Sequence, residues 1–343
     1  MYQQLQDGAA NFLHLSRTAP QHFTTPLTFS LTNNTRVTIS APGIICFEPA
    51  QPGDKDIVLS CGVHGNETAP IEICDELVTD LLTERLACQH RFLVQFGNLS
   101  AMDIGERFVE ENMNRLFSGA HSQGPGLINE ERKRAKLLEQ SVAEFFTAAP
   151  ASERHRAHYD LHTAIRDSKN EKFAVYPFTH GKPHNKQQLL FLKACGVTTI
   201  LLSESPTTTY SYYSARQFNA HGFTVELGKV RPFGQNDMSR FAQARDSLRK
   251  LVSGEQLSLG EYRNEDFLIY RVNQVINRNE EDFRLNFADD VPNFTDFKKG
   301  TLLAEESGCR YIAEQDGEAI VFPNAKVAIG QRALLTVLPT TLD

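Results

Sequence analysis

The chain has 343 residues, 41% hydrophobic and 22% charged, with a formal net charge of −7. These are ordinary globular proportions, and the acidic balance excludes broad electrostatic binding to nucleic acid or an anionic membrane, leaving a small molecule as the expected ligand. The length exceeds the usual single domain of roughly 100 to 200 residues, so a large domain with a smaller companion is expected.

Six cysteines are scattered without a C-x-x-C pair, which argues against a zinc finger or a disulfide framework and suits a cytoplasmic protein. The first residues lack the basic start and apolar core of a signal peptide, and no apolar run approaches the roughly 20 residues of a membrane span. The sequence leaves assembly into a homo-oligomer open.

In chain order, residues 56 to 63, DIVLSCGV, read as a buried strand. The following APIEICDELVTDLL places Ile73, Leu77 and Leu81 on one helical stripe. Another strand is expected at 91 to 97, then a polar loop, then an amphipathic helix at 129 to 146 with Leu138, Val142 and Phe145 at helical spacing. Strands at 156 to 162, 172 to 177, 197 to 203 and 222 to 227 alternate with helical patterns, and a last helix covers 236 to 252. Such alternation predicts an α/β fold with a mostly parallel sheet covered on both faces. Beyond it, FLIYRVNQVINR, GTLLAE, GEAIVFP and ALLTVL are short runs separated by turn residues, as in a small all-β domain. The expected division is 1–252 and 253–343.

Three strand ends carry chemistry. In GVHGNE, His64 and Glu67 sit three residues apart where the first buried strand gives out, with Gly62 and Gly65 giving the loop room. Ligands of open α/β sheets collect at such ends. By itself the match also suits a tight turn and a helix cap. A catalytic zinc takes three protein ligands, and YDLHTA offers His162 at another strand end, with Asp160 two residues earlier to orient its ring. His155 and His158 are rivals, better suited to surface or interface roles. In GFTVELGK, Glu226 lies deep in an apolar strand, where a carboxylate is costly unless paired or functional.

With these positions in view the chain resembles the zinc-dependent acylamino-acid deacylases of the carboxypeptidase-like superfamily, the group of succinylglutamate desuccinylase and aspartoacylase. GVHGNETAPIE looks like the family's paired-ligand motif, DLHTAIR its third-ligand segment, and TVELGKVRPFGQND its catalytic-glutamate segment. Together with VFPNAKVAIGQRA they are more similar to the desuccinylase branch than to the aspartoacylase branch. The resemblance implies a zinc-carboxypeptidase-like mixed sheet flanked by helices with a smaller C-terminal all-β domain. It also implies one zinc ion per chain and hydrolysis of a small N-acyl amino acid, N2-succinyl-L-glutamate, in the last step of the arginine succinyltransferase route.

Carried over by resemblance, His64, Glu67 and His162 are the zinc ligands, Asp160 supports His162, and Glu226 moves the proton of the attacking water. Asn98, Arg107, Asn114 and Arg115 match the substrate-binding loop, where guanidinium groups bind carboxylates bidentately. Arg216, ten positions before Glu226, matches an arginine that assists the developing negative charge.

Two departures stand out. Asn112 occupies a position where the family commonly has aspartate, removing a supporting ion pair. Aspartoacylases place a C-terminal tyrosine in the pocket, whereas this chain has none after Tyr311, so the resemblance assigns no site residue in the β domain. The competing readings are a deacylase of another N-acyl amino acid, a peptide carboxypeptidase, and a non-catalytic zinc or dicarboxylate binder.

Overall fold

The computed structural model describes residues 1–149 and 154–342. In chain order the first strands are β1 (Leu27–Ser30), β2 (Arg36–Ala41), β3 (Ile44–Glu48), β4 (Lys55–Cys61), β5 (Arg91–Phe96), β6 (His155–Ala164), β7 (Phe173–Tyr176), β8 (Thr199–Leu202) and β9 (His221–Lys229). The helices are α1 (Tyr2–Gln6), α2 (Phe12–Thr18), α3 (Thr68–Leu82), α4 (Leu99–Ile104), α5 (Glu130–Thr147), α6 (Lys186–Ala194), α7 (Tyr210–Phe218) and α8 (Ala242–Ser253).

β5, β4, β6 and β9 lie side by side in that order, each parallel to the next. β5 is buried throughout, and β4 from Asp56 onward. Their near-continuous apolar runs follow from burial on both faces. On one face, Ile73 and Leu77 of α3 pack with Leu189 of α6 and Leu248 of α8. On the other, Leu138 and Val142 of α5 pack with Tyr210 and Tyr213 of α7. Burying side chains of this size stabilises the fold by about 1.5 to 3 kcal/mol each.

The sheet is less parallel than its alternating pattern suggests. β7 runs antiparallel to β9, and β3 runs antiparallel to β5. Burial fixes a strand's apolar content and says nothing of its direction, so the pattern could not separate the two cases.

The C-terminal strands are β10 (Leu268–Asn277), β11 (Arg284–Leu285), β12 (Thr295–Phe297), β13 (Leu302–Glu306), β14 (Cys309–Ile312), β15 (Glu318–Val321) and β16 (Arg332–Thr340). They build a smaller strand-rich region around Ile276, Leu303, Ile320 and Leu334. Its edge is joined to the main sheet. Leu268–Arg271 of β10 pair in parallel with Thr199–Leu202 of β8, and β16 pairs antiparallel with β10. One sheet of 13 strands therefore crosses from the α/β region into the C-terminal region.

Candidate active site

The carboxyl ends of β4, β6 and β9 point the same way and deliver the three strand-end motifs to one place. After Cys61 the chain turns through Gly62, whose φ of 64° favours glycine. It then enters α3 at Thr68, placing His64 and Glu67 in the loop between strand and helix. Gly65 packs against the backbone of α4; a Cβ there would lie 2.2 Å from the Ala101 carbonyl carbon. No other residue fits without moving the loop.

His64, Glu67 and His162 are each about 2% exposed or less, and one donor atom from each lies within 4.8 Å of the other two. Nδ1 of His64 is 2.8 Å from Glu67 Oε1, and Nδ1 of His162 is 2.9 Å from Glu67 Oε2. The outer ring nitrogens are occupied separately: His162 Nε2 donates to Asp160 Oδ2 at 2.8 Å, and His64 Nε2 donates to Asn112 Oδ1 at 3.0 Å. Fixing the outer nitrogen turns the inner one toward the centre, as metal-ligating histidines require.

The charges around this cluster suit a bound cation. Burial and the nearby Arg107 push the His64 imidazole down to about 4, so it is neutral. Burial also disfavours charge on His162, but Asp160 and Glu67 outweigh it and hold that imidazole well above its ordinary range. Glu67 receives Arg107 Nη1 at 2.8 Å and the Thr163 amide at 3.1 Å. Two imidazoles and a buried carboxylate form a donor set suited to a divalent metal, whose charge would take the place of the proton on His162.

Glu226 on β9 stands beside His162 in register. It is 6% exposed, and its Oε2 has no hydrogen-bond partner. Burial, with the negative charge of Glu67, pushes its carboxyl up to about 7. A carboxyl poised near neutrality is matched to taking and returning a proton.

Two family profiles match the sequence: the succinylglutamate desuccinylase/aspartoacylase catalytic domain over residues 53–252, and the AstE/AspA barrel-sandwich hybrid domain over residues 265–340. The chain belongs to the succinylglutamate desuccinylase/aspartoacylase family. A relative from Pseudoalteromonas atlantica, named succinylglutamate desuccinylase, is 61% identical over 97% of this chain and 95% of its own. The crystal structure of the succinylglutamate desuccinylase from Chromobacterium violaceum superimposes with a TM-score of 0.85 at 40% identity, covering 97% of this chain and 98% of that one. Murine aminoacylase 3 shares the fold at 16% identity, with a TM-score of 0.57 over 85% of this chain and 98% of its own.

A cavity of about 690 Å³ opens beside the metal-type cluster of this family member, lined among others by Glu226, Arg107, Asn114 and Arg115. Asn114 accepts the Tyr210 amide through Oδ1 at 3.4 Å. Arg115 donates to the Asn114 carbonyl at 3.1 Å and has no carboxylate partner among the described residues. Burial, then Arg107, pushes the Arg115 guanidinium down to about 10, leaving it charged. Asn112 makes no ion pair, as expected, but its amide oxygen accepts both His64 Nε2 and, at 3.1 Å, the Asn114 amide.

Two expected residues lie elsewhere. Asn98 is buried away from the cavity, where its Oδ1 caps α4 by accepting the Ala101 amide at 3.1 Å and its Nδ2 donates to Glu131. A strand-to-helix junction needs such a cap, and asparagine supplies it. Arg216 is exposed on α7 and does not line the cavity. Tyr210 and Ser211 begin that helix near Asn114 and Thr224, and each further turn carries the chain about 5.4 Å away from the carboxyl end of β9. Of the two rival histidines, only His155 has the surface place expected of both. His155 is exposed, whereas His158 is fully buried between the hydroxyls of Ser60 and Ser214, at 2.8 and 2.7 Å.

Sequence reasoning missed Arg332. It opens β16, and its side chain faces the same cavity from the C-terminal strands. The only signal was its place in the VFPNAKVAIGQRA segment; no periodicity marks a residue at the mouth of a strand.

Proposed function

We propose that this protein hydrolyses N2-succinyl-L-glutamate to succinate and L-glutamate with zinc held by His64, Glu67 and His162. The observation that carries the reading is the meeting of that buried cluster with the unpartnered Glu226 carboxyl oxygen in an arginine-lined cavity. The family membership and the names of its relatives support the substrate. A carboxylate positioned as a proton acceptor favours hydrolysis over mere binding.

Zinc bound there would act as a Lewis acid on the scissile carbonyl. Glu226 takes a proton from the attacking water and returns it to the departing amine, so the amide nitrogen leaves as the amino group of glutamate. Arg107, Asn114 and Arg115 hold substrate carboxylates and orient the amide. Asp160 and Asn112 keep the two imidazoles in their working tautomers. Among the described residues no helix is long and apolar enough to cross a membrane. The cytoplasm is the compartment we assign, and 1–252 and 253–343 are the two domains.

The test is metal analysis coupled to glutamate release from succinylglutamate before and after chelation. Activity should track bound zinc and return on its readdition. Full turnover by metal-free protein, or turnover of N-acetylaspartate in preference to succinylglutamate, would overturn the proposal.

A further inference from the structure

The substrate just proposed carries three carboxylates, yet the loop at residues 107 to 115 supplies only two arginines, one of them bonded to Glu67. The geometry points to Arg332 as a further carboxylate anchor, a recognition residue supplied by the C-terminal strands that sets which acyl amino acids are accepted. This rests on the proposed function.

Arg332 lies at the start of β16, paired in register with Asn277 of β10. Its side chain is partly buried and lines the cavity that contains His64, His162 and Glu226. Among the described residues it makes no side-chain hydrogen bond and no ion pair. A half-buried arginine with no partner of its own keeps its N–H groups free for a ligand, and the fork of the guanidinium matches a carboxylate in geometry and charge. Burial, with the like charges of Arg115 and Arg107, pushes this guanidinium down to about 9, so it remains cationic at neutral pH. The chain as a whole is acidic, but this cavity concentrates positive charge.

The guanidinium is also held in place. Its carbon sits 5.2 Å from the centre of the Phe322 ring, a cation–π arrangement that uses one face and leaves the N–H edges available. Phe322 itself has φ of 54°, a left-handed conformation that is strained for a bulky residue. Its amide is tied down by donating to the Oδ1 of buried Asn293 at 2.8 Å. Strain of this kind persists where surrounding structure enforces it, and ligand clamps are one such place. Here it presents an aromatic platform to the arginine.

The experiment measures kcat and KM of zinc-loaded wild type, Arg332→Met and Arg332→Lys on succinylglutamate and on three analogues. The analogues are N-acetylglutamate, succinylglutamine and the α-amide of succinylglutamate, each lacking one carboxylate. Losing a charge-assisted pair should lower kcat/KM of Arg332→Met on succinylglutamate by on the order of 10- to 100-fold, mostly through KM. The loss should vanish for the one analogue that lacks the carboxylate Arg332 reads, which identifies that carboxylate. Arg332→Lys, which keeps the charge and loses the fork, should show a smaller loss with the same pattern, and it decides the question if the methionine variant fails to fold. Equal losses on every substrate, or none, would overturn the inference while leaving wild-type hydrolysis intact. If wild type itself fails on succinylglutamate, the proposed function is at fault instead.

Discussion

His64 Nε2 and Asn112 Oδ1 are 3.0 Å apart, so a neutral amide does for this imidazole what the Asp160 carboxylate does for His162. Replacing an outer partner of a metal-ligating histidine typically changes affinity about 10- to 100-fold. Asn112→Ala should therefore release zinc at correspondingly lower chelator concentration. Asn112→Asp, which adds negative charge behind the imidazole, should hold it more tightly. Competitive zinc titration of the variants decides the matter, and identical affinities would show that the contact does not support the ligand.

Glu226→Ala should retain zinc at wild-type stoichiometry and lower kcat by at least about 100-fold, the usual scale for loss of a positioned acid or base. Glu226→Gln keeps the shape and loses the proton acceptor, so it should be nearly as slow. Wild-type turnover by either variant removes the assigned role.

Arg216→Ala should leave kcat/KM on succinylglutamate within about twofold, as expected for an exposed residue outside the cavity. Asn98→Ala should lower unfolding free energy by about 1 kcal/mol or more through the lost α4 cap. Asn114→Ala, by contrast, should raise KM. A larger KM change in Asn98→Ala than in Asn114→Ala would reverse these assignments.

His158 predicts an acid sensitivity. It packs beside Tyr210 of α7 between Ser60 and Ser214, with Asp160 and His162 on its own strand. Burial, the largest influence, pushes its imidazole down to about 4 from an ordinary 6.5. As pH falls below about 6.5 the unfolded chain takes up a proton that the folded chain refuses, so stability is lost between about 6.5 and 4. The limiting loss from this site is about 3 kcal/mol. Urea unfolding at several pH values should show a shallower acid loss in His158→Gln than in wild type. His90, also pushed down to about 4 by burial, supplies a remaining slope. An unchanged pH dependence would mean that His158 is not the sensor.

The metal-type cluster was legible because its residues end apolar strands, and burial marks such strands plainly. Glu226 could be singled out from a single line of sequence because a carboxylate amid FTV and L has few structural excuses. Arg216 lies outside the cavity lining because α7 runs back along β9 and carries its last turn away from the pocket, which a separation of ten residues does not reveal. Asn98 caps α4 in the structure, and in sequence a capping amide and a ligand-binding amide look alike until the helix it begins is seen. Arg332 lies in a segment that carries the resemblance, yet nothing local marks its side chain as facing the cavity. Its position depends on β8, β10 and β16 pairing across long stretches of chain, and such contacts leave no local period.

The ladder joining β8 to β10 has a mechanical consequence. In many two-part enzymes, ligands enter as one part swings on a hinge, but here that swing would have to break the pairing of Leu268–Arg271 with Thr199–Leu202. Each lost backbone hydrogen bond costs about 1 kcal/mol or more. The arginine borne by β16 is thus fixed on a rigid rail relative to the strand carrying Glu226. Residues 205–209 line the same cavity without belonging to that ladder, so any widening of the cavity is expected of such loops while the spacing between Glu226 and Arg332 is kept by the sheet.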